Sequence, residues 1–435
     1  MCVKKVKQLR KYLKGTLQIH KDLALLQDAR ISPDYSTQLM GRSFLLGFTL
    51  RSRSVRQLER RLKKKGWRRF VGLRVVGGSP VEGTLRYFLP RLQTPSLQKA
   101  FGSSIKRMLR AKMAPVKTVG GLRVASLDGT TLFSCKVGAC GGCIKHSRHR
   151  PHAEEGAPRV EYNEHKVVTA RLIGDRFSPW LGYISQRPQS PLDENRFEGE
   201  QTALLRLLSQ LEQDYGSLLD AILTDALHVS RAFIEGCEQR GWWATFISKE
   251  NASSLQTGFE SKPLSEPERE RKKVKEGFVD ATIWEQEDIS LGTCDLPLRV
   301  LKILQTVTTV DGVLVREDVR WIGTRIPKDR LDAKGVWWLG WRRWESENGG
   351  HRTLKHQHHA KHVFCHKSPE AVENLLWFLM WGQNVLEVFA LRRLNSGRYN
   401  GLADGVIGVV EELVEGMAVQ PVKERWEIYP TMPDD

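Results

Sequence analysis

The chain lacks any long apolar run. Its longest uninterrupted one is Leu375 to Trp381, far short of the roughly 20 residues that a membrane-spanning helix needs, so no membrane partner is expected. The first twenty residues, MCVKKVKQLRKYLKGTLQIH, are basic but contain no apolar stretch, which excludes a secretory signal. Cysteine is scarce: seven in 435 residues, an odd number with three clustered, so no disulfide framework is expected and a reducing, cytoplasmic compartment fits. Acid is also in deficit. Fifty Asp and Glu face 68 Lys and Arg, a formal charge of +18, and an excess of that size points to a polyanion, most often nucleic acid. A location among the chromosomal DNA would follow.

What is present is ample apolar material, 40% of the residues, enough for two or three domains. Residues 1–117 read as a helical, basic DNA-binding domain. RSRSVRQLERRLKKKGWRR, 51–69, carries ten Lys or Arg and one Glu, with Val55, Leu58 and Leu62 at helical spacing. Arg60, Arg61, Lys63 and Lys64 are the candidate phosphate contacts there. In GGSPVEGTLRYFLPRL, 77–92, a helix is expected behind a Ser79 cap with Pro80 in its first turn. Residues 118–435 read as an α/β domain. Three meandering strands (GLRVASLDGTTLF, HKVVTARLIGD, PWLGYISQ) precede an amphipathic helix with Leu204, Leu207, Leu208 and Leu211 on one face. Strand, helix and strand follow in DAILTDAL, SRAFIEGCEQRG and WWATFISK. A charged loop, SKPLSEPERERKKVKEG, opens a β-rich insertion over about 250–326. A long buried helix, SPEAVENLLWFLMWGQNVLEVFALRRL, closes the core. Successive strands and helices of this kind make a mixed sheet flanked by helices.

Two acids stand where buried strands run out, Asp128 in VASLDGT and Asp225 in AILTDAL. Carboxylates there project from the rim of the sheet, where ligands of α/β folds bind. Glu347, in RRWESENGGHRTLK, is a third candidate on a helix after the insertion. Three converging carboxylates repel unless a cation lies among them, and Mg²⁺ (or Mn²⁺) takes such oxygen ligands while keeping sites open for phosphate. Two ions roughly 4 Å apart suit phosphodiester chemistry, with Arg343, Arg352 and Lys355 meeting the phosphates. Glu345 points about 200° away from Glu347 on a helix, and Glu347 shares a face with Arg343, so Glu347 is the acid expected at the site.

Over roughly residues 50–395 these segments resemble, in order, the DDE transposases of bacterial insertion sequences. SLDGTTLFS is similar to their first-Asp strand, and AILTDALHVSRAFIEGCEQRGWWATFISK to their second-Asp block. RRWESENGGHRTLK is similar to the helix that carries their final Glu. The resemblance implies an RNase H-like sheet with a β-rich insertion before the last catalytic helix. It implies Asp128, Asp225 and Glu347 as the metal-binding triad, with Arg343 and Lys355 on the DNA near the cut. It further implies hydrolysis at the element's ends, attack of the freed 3′-OH on target DNA, and a homodimer on paired ends bearing terminal inverted repeats. Two departures stand out: Gly340 replaces a Tyr of the family pattern, and Lys355 follows Glu347 by eight positions rather than seven. A DNA-binding protein without catalysis and a nuclease without strand transfer are the alternatives.

Two further clusters are less specific. CKVGACGGCIKHSRHRPH holds Cys135, Cys140 and Cys143, ligand types that suit Zn²⁺, but the spacing matches no zinc-finger class and no bound zinc is expected. HQHHAKHVFCH sets His358 and His362 one helical turn apart. Near DNA, its histidines are expected to serve as phosphate donors, while His165 and His228 read as structural. The Trp-rich GVWWLGWRRW is expected to pack its helix on the sheet. By the resemblance to the transposases, Trp284 and Trp321 in the insertion are the candidates for stacking on a base.

Overall fold

The computed structural model describes residues 2–73, 78–110, 119–135, 140–148, 159–174, 177–190, 193–225, 228, 230–248, 253–274, 277–291, 294–362, 368–393 and 410–417. Side chains of residues 2–3, 146, 148, 188–197, 253–254, 291–295, 344–348 and 393 lie outside that description.

The basic first quarter is helical: α1 (Cys2–Lys11), α2 (Ile19–Leu23), α3 (Thr37–Thr49), α4 (Val55–Leu62), α5 (Lys65–Val71), α6 (Glu82–Phe88) and α7 (Thr94–Arg110). Local chemistry sets several starts. The Ser36 and Ser54 hydroxyls accept from the N–H groups of Leu39 and Gln57, satisfying donors that a first helical turn leaves unpaired. Ser79 does not act this way. Val81 is extended and α6 begins after it with no side-chain cap, so Ser79 stands outside the helix.

Strands then alternate with helices: β1 (Val124–Cys135), β2 (Ile144–Arg148), β3 (Val160–Leu172), β4 (Trp180–Ser185), β5 (Pro188–Ser190), β6 (Asp193–Phe197), α8 (Glu200–Tyr215), β7 (Ala221–Asp225), α9 (Arg231–Glu238) and β8 (Trp243–Ser248). There follow α10 (Ser253–Glu260), β9 (Glu268–Val274), β10 (Gly277–Leu291), β11 (Cys294–Thr308), β12 (Leu314–Thr324), α11 (Ala333–Arg352) and α12 (Pro369–Arg393). One ten-stranded sheet runs β2-β3-β1-β7-β8-β12-β11-β10-β9, with β4 also on β3. β1 pairs antiparallel with β3 and parallel with β7, and β7 pairs parallel with β8. The fold is mixed α/β. The β-rich run after β8 extends the same sheet, through an antiparallel β8–β12 pair.

Within the charged stretch expected as a loop, ERERKKV forms β9 at the sheet's end. Its alternate residues are exposed, and a row of charges on an edge strand discourages pairing with another chain. The Leu204, Leu207, Leu208 and Leu211 stripe of α8 is buried as its spacing requires.

The N-terminal helices share a core with the sheet domain. Phe44 and Phe48 of α3, Phe101 of α7 and Trp377 and Trp381 of α12 belong to one buried cluster with Leu127 of β1. α12 packs against α3 so closely that a Cβ on Gly382 would lie 2.7 Å from the Thr49 nitrogen. Buried amides on this apolar helix each find partners. Asn374 donates to the Leu89 and Leu92 carbonyls at 2.9 and 2.8 Å. Asn384 bonds both backbone groups of Trp180 at 2.9 Å, fixing β4 to α12. Among the described residues, no helix is long and apolar enough to cross a membrane.

Candidate active site on β1 and β7

The two acid-bearing strands are neighbours. Val124, Ala125 and Ser126 lie opposite Ala221, Ile222 and Leu223. Carried two residues further, that register sets Asp128 beside Asp225, the last residue of β7. Adjacent strands lie about 4.8 Å apart and positions of equal offset face the same side, so the two acids stand side by side. Asp225 is at the end of β7, but Asp128 lies within β1, which runs on to Cys135 rather than ending at the acid as its sequence suggests.

α11 crosses this spot. Its start is set by Asp332, whose carboxylate accepts from the Gly335 N–H at 2.7 Å. Further along, Arg343 Nη2 lies 3.5 Å from Asp128 Oδ1 and His351 Nδ1 lies 3.3 Å from Asp128 Oδ2. These two positions bracket 347, four residues from each, so backbone position 347 is on the helix face turned to Asp128. Position 345 is about 200° around from 343. The side chains of Glu345 and Glu347 fall outside the described residues.

Close packing holds α11 there. Trp337 and Trp341 are buried, as expected of the Trp-rich run. A Cβ on Gly340 would come within 2.9 Å of Ile322 and 3.1 Å of Ile247, so a Tyr at that position has no room. Gly350 is equally constrained, its Cβ position falling 2.0 Å from Arg171 Nη1. Arg171 cannot easily yield, since Nε donates to the Ser178 carbonyl at 2.5 Å and the guanidinium lies over Trp180.

His351 is deeply set. Its Nε2 is 2.9 Å from Thr169 Oγ1 and its ring centroid is 5.3 Å from that of Trp180. Burial, reinforced by Lys355, Arg171 and Arg343, drives its pKa down to about 3, so the ring is neutral near pH 7. The Thr169 hydroxyl also donates to the Asp128 carbonyl at 3.2 Å, tying His351 and Asp128 to the same side chain.

Lys355 also reaches the site, donating to Thr130 Oγ1 two residues beyond Asp128. Burial lowers its pKa, as does Lys361, against the attraction of Asp128. The eight-residue spacing from position 347 to Lys355 has a structural counterpart. After α11 the chain makes a π-helical turn, Thr353–Gln357. Eight residues of regular α-helix would overshoot the Asp128 face by roughly 80°, and the wider π turn takes up that excess. Arg352 is exposed on the same segment.

Glu200 and His228 lie against Gly129, next to Asp128 in sequence but on the opposite face of β1, since successive strand residues alternate sides. A Cβ on Gly129 would lie 2.2 Å from Glu200 Oε1, so the carboxylate rests on the residue after Asp128. His228 Nε2 bonds Glu200 Oε1 at 3.0 Å, and that bond is the main cause of a lowered Glu200 pKa. Only a helix starting at Glu200, folded back on β1, makes this contact, and its sequence reads as an ordinary helix start.

The remaining candidates are scattered. Arg60, Lys63 and Lys64 are exposed near the α4–α5 turn, Lys63 pairing with Glu59 at 2.7 Å. Arg61 instead turns inward, donating to the Leu50 carbonyl and Ser52 Oγ at 2.8 Å and lying over Trp67. Trp321 is buried against Phe259, which rules out stacking on a base, and Trp284 is half-buried. His358 and His362 do not share a helix. The chain leaves the π turn at His358, which is buried, and His359 has φ 60°.

The three cysteines do not come together as a set. Cys140 and Cys143 join His165 instead, with Cys140 Sγ 3.8 Å from Cys143 Sγ and 3.1 Å from His165 Nε2, and Cys143 Sγ 3.3 Å from the same nitrogen. All three are buried. Cys135, at the end of β1, lies outside the group. The Cys143 thiol beside it, then His165, pull the Cys140 thiol down to about 4, while Cys140 and burial push Cys143 up. The spacing Cys-x-x-Cys was the visible signal. His165 comes from β3, where Ile144 pairs with Glu164, a long-range register that the sequence does not reveal.

Asp128 and Asp225 offer oxygen donors of the kind a hard divalent cation takes. No family model matches the chain, and no curated protein matches it.

Proposed function

We propose that the chain is a DDE-type DNA transposase with an RNase H-like core. The observation that carries this reading is the parallel β1–β7 register, which sets Asp128 beside Asp225 beneath the α11 face that includes position 347. Its topology supports the reading as well: β4, β3 and β1 are antiparallel neighbours, followed by β7 and β8 parallel to β1.

Asp128, Asp225 and Glu347 would hold two Mg²⁺ or Mn²⁺ ions. Such ions, when bound, activate the attacking oxygen and stabilise the leaving one. The protein's own groups do the rest. Arg343 and Lys355 are placed to receive the phosphate flanking the scissile bond, and a neutral His351 orients Asp128 without competing for its charge. Cleavage frees a 3′-OH at the element's end, and the same site directs that hydroxyl at a target phosphodiester. The charge of +18 suits a partner of double-stranded DNA, with Arg60, Lys63 and Lys64 as outlying contacts and two copies acting on paired ends.

The test uses the DNA that flanks the coding sequence. Purified protein with Mg²⁺ should nick DNA carrying inverted repeats from those flanks and join pre-cut ends to a second duplex. Binding without either reaction would favour a non-catalytic DNA-binding protein. Nicking without joining of pre-cut ends would favour a nuclease.

A further inference from the structure

We propose that Cys140, Cys143 and His165 form a structural zinc site that clamps the β1–β2 connection onto β3. It stands apart from the acid site and does not depend on the function proposed above.

The geometry is that of a metal knuckle. Residues 140–143 make a tight turn through Gly141 and Gly142, closed by the Cys143 N–H on the Cys140 carbonyl at 3.0 Å. The Cys140 N–H points back at Cys143 Sγ, 3.4 Å away, a contact that favours sulfur in its anionic form. Tetrahedral zinc, with Zn–S about 2.3 Å and Zn–N about 2.0–2.1 Å, sets two sulfurs about 3.8 Å apart and a sulfur and nitrogen about 3.6 Å apart. The sulfurs here stand 3.8 Å apart. Nε2 sits at 3.1 and 3.3 Å, a few tenths of an ångström inside the zinc value, so a small outward ring shift admits the ion.

The surroundings hold the cluster in place. A Cβ on Gly142 would lie 3.2 Å from Pro369 Cβ and 3.5 Å from His165 Cε1, so the turn is wedged between the histidine and the first residue of α12. Phe133, the register partner of His165, packs on its ring with centroids 4.8 Å apart. Without an ion, two thiols and an imidazole are buried together for no packing gain that a valine would not exceed. Hydrogen-bond contacts alone satisfy them weakly, because a thiol is a poor donor and acceptor. The three ligands leave one vertex of a tetrahedron. Cys135 stands two residues beyond Phe133 on the same face of β1. It or a water completes the set.

The softness of these donors decides the metal. Two sulfurs and an imidazole select zinc over magnesium, and zinc binding to preformed ligands adds directly to folding stability. The clamp would fix the end of β1, seven residues past Asp128, and the start of α12 against one another.

Metal analysis of the full chain, purified without chelator and dialysed, tests this. The expected result is about one zinc per chain, lost in Cys143→Ser and in His165→Ala. X-ray absorption of the wild-type metal should fit two or three sulfurs with one imidazole, a reading that does not require any variant to fold. Cobalt exchanged for zinc should give a thiolate-to-cobalt charge-transfer band. Wild-type protein that is metal-free, or that carries a Cys140–Cys143 disulfide under reducing conditions, would overturn the proposal. So would zinc coordinated only by oxygen and nitrogen.

Discussion

The two candidate sites both adjoin β1 and are built from opposite kinds of atoms. At the middle of β1, Asp128 offers oxygen beside Asp225 and faces α11. Near its end, Cys140, Cys143 and His165 offer sulfur and nitrogen in a closed, buried group. The first arrangement leaves vertices free, which suits catalysis on phosphate, while the second encloses its ligand, which suits stability. Chemistry and architecture should therefore separate cleanly on perturbation.

The largest effect is expected at the acids. Asp128→Asn, Asp225→Asn and Glu347→Gln each keep shape and remove charge, and each should slow DNA cleavage on the order of a thousand-fold or more, about 4 kcal/mol of transition-state stabilisation. Binding to DNA ends, followed by gel shift, should survive. Glu345→Gln, on the other side of α11, should stay near wild type.

Disturbing the sulfur site should do the reverse. Cys143→Ser should lower the melting temperature by several degrees and abolish zinc content. The cleavage rate of the molecules that remain folded should stay within a few-fold of wild type. A loss of cleavage as large as that of Asp128→Asn would erase the distinction between the sites.

Packing around α11 offers a smaller test. Gly350→Ala puts a methyl group into the Arg171 guanidinium, and overpacking of this kind costs about 1–3 kcal/mol, readable from urea unfolding. Gly349→Ala, with open space around its Cβ, should cost nothing comparable.

His351 predicts a pH dependence of the fold. Its folded pKa is about 3 against an ordinary value of 6.5. Between those values the unfolded chain holds the extra proton. The stability is thus fully present above pH 6.5 and is lost as the pH falls toward 3, by up to about 1.4 kcal/mol per pH unit. His351→Gln should flatten that slope by about one proton between pH 6 and 4.

The smallest effect concerns the outlying cations. Replacing Arg60, Lys63 and Lys64 with Gln should weaken DNA binding and reduce the slope of log K against log salt by about two to three. Arg61→Gln should instead destabilise the fold, because its guanidinium holds the Leu50 carbonyl.

The acid-bearing strands were legible because each carries an Asp just after an apolar run, a pattern local to a few residues, although β1 continues past Asp128 to Cys135. The helix at 333–352 was legible from its Trp-rich run, while Gly335, Gly340 and Gly350 sit where a Cβ would collide with neighbours. The sulfur cluster was half legible. Cys140 and Cys143 announce themselves by spacing, but His165 arrives through strand pairing, which a linear reading cannot supply. β9 was hidden because ERERKKV has charge where strand patterns have apolar residues. Glu200 was hidden because its contact depends on a helix folding back over Gly129.

The central claim is that the β1–β7 register makes a metal-binding pair of Asp128 and Asp225. Manganese binding to the full chain with DNA present, followed by electron paramagnetic resonance, tests it most directly. Wild-type protein should bind two spin-coupled Mn²⁺ ions, and Asp128→Asn and Asp225→Asn should each abolish the coupled signal. Unchanged Mn²⁺ binding in both variants would contradict the account.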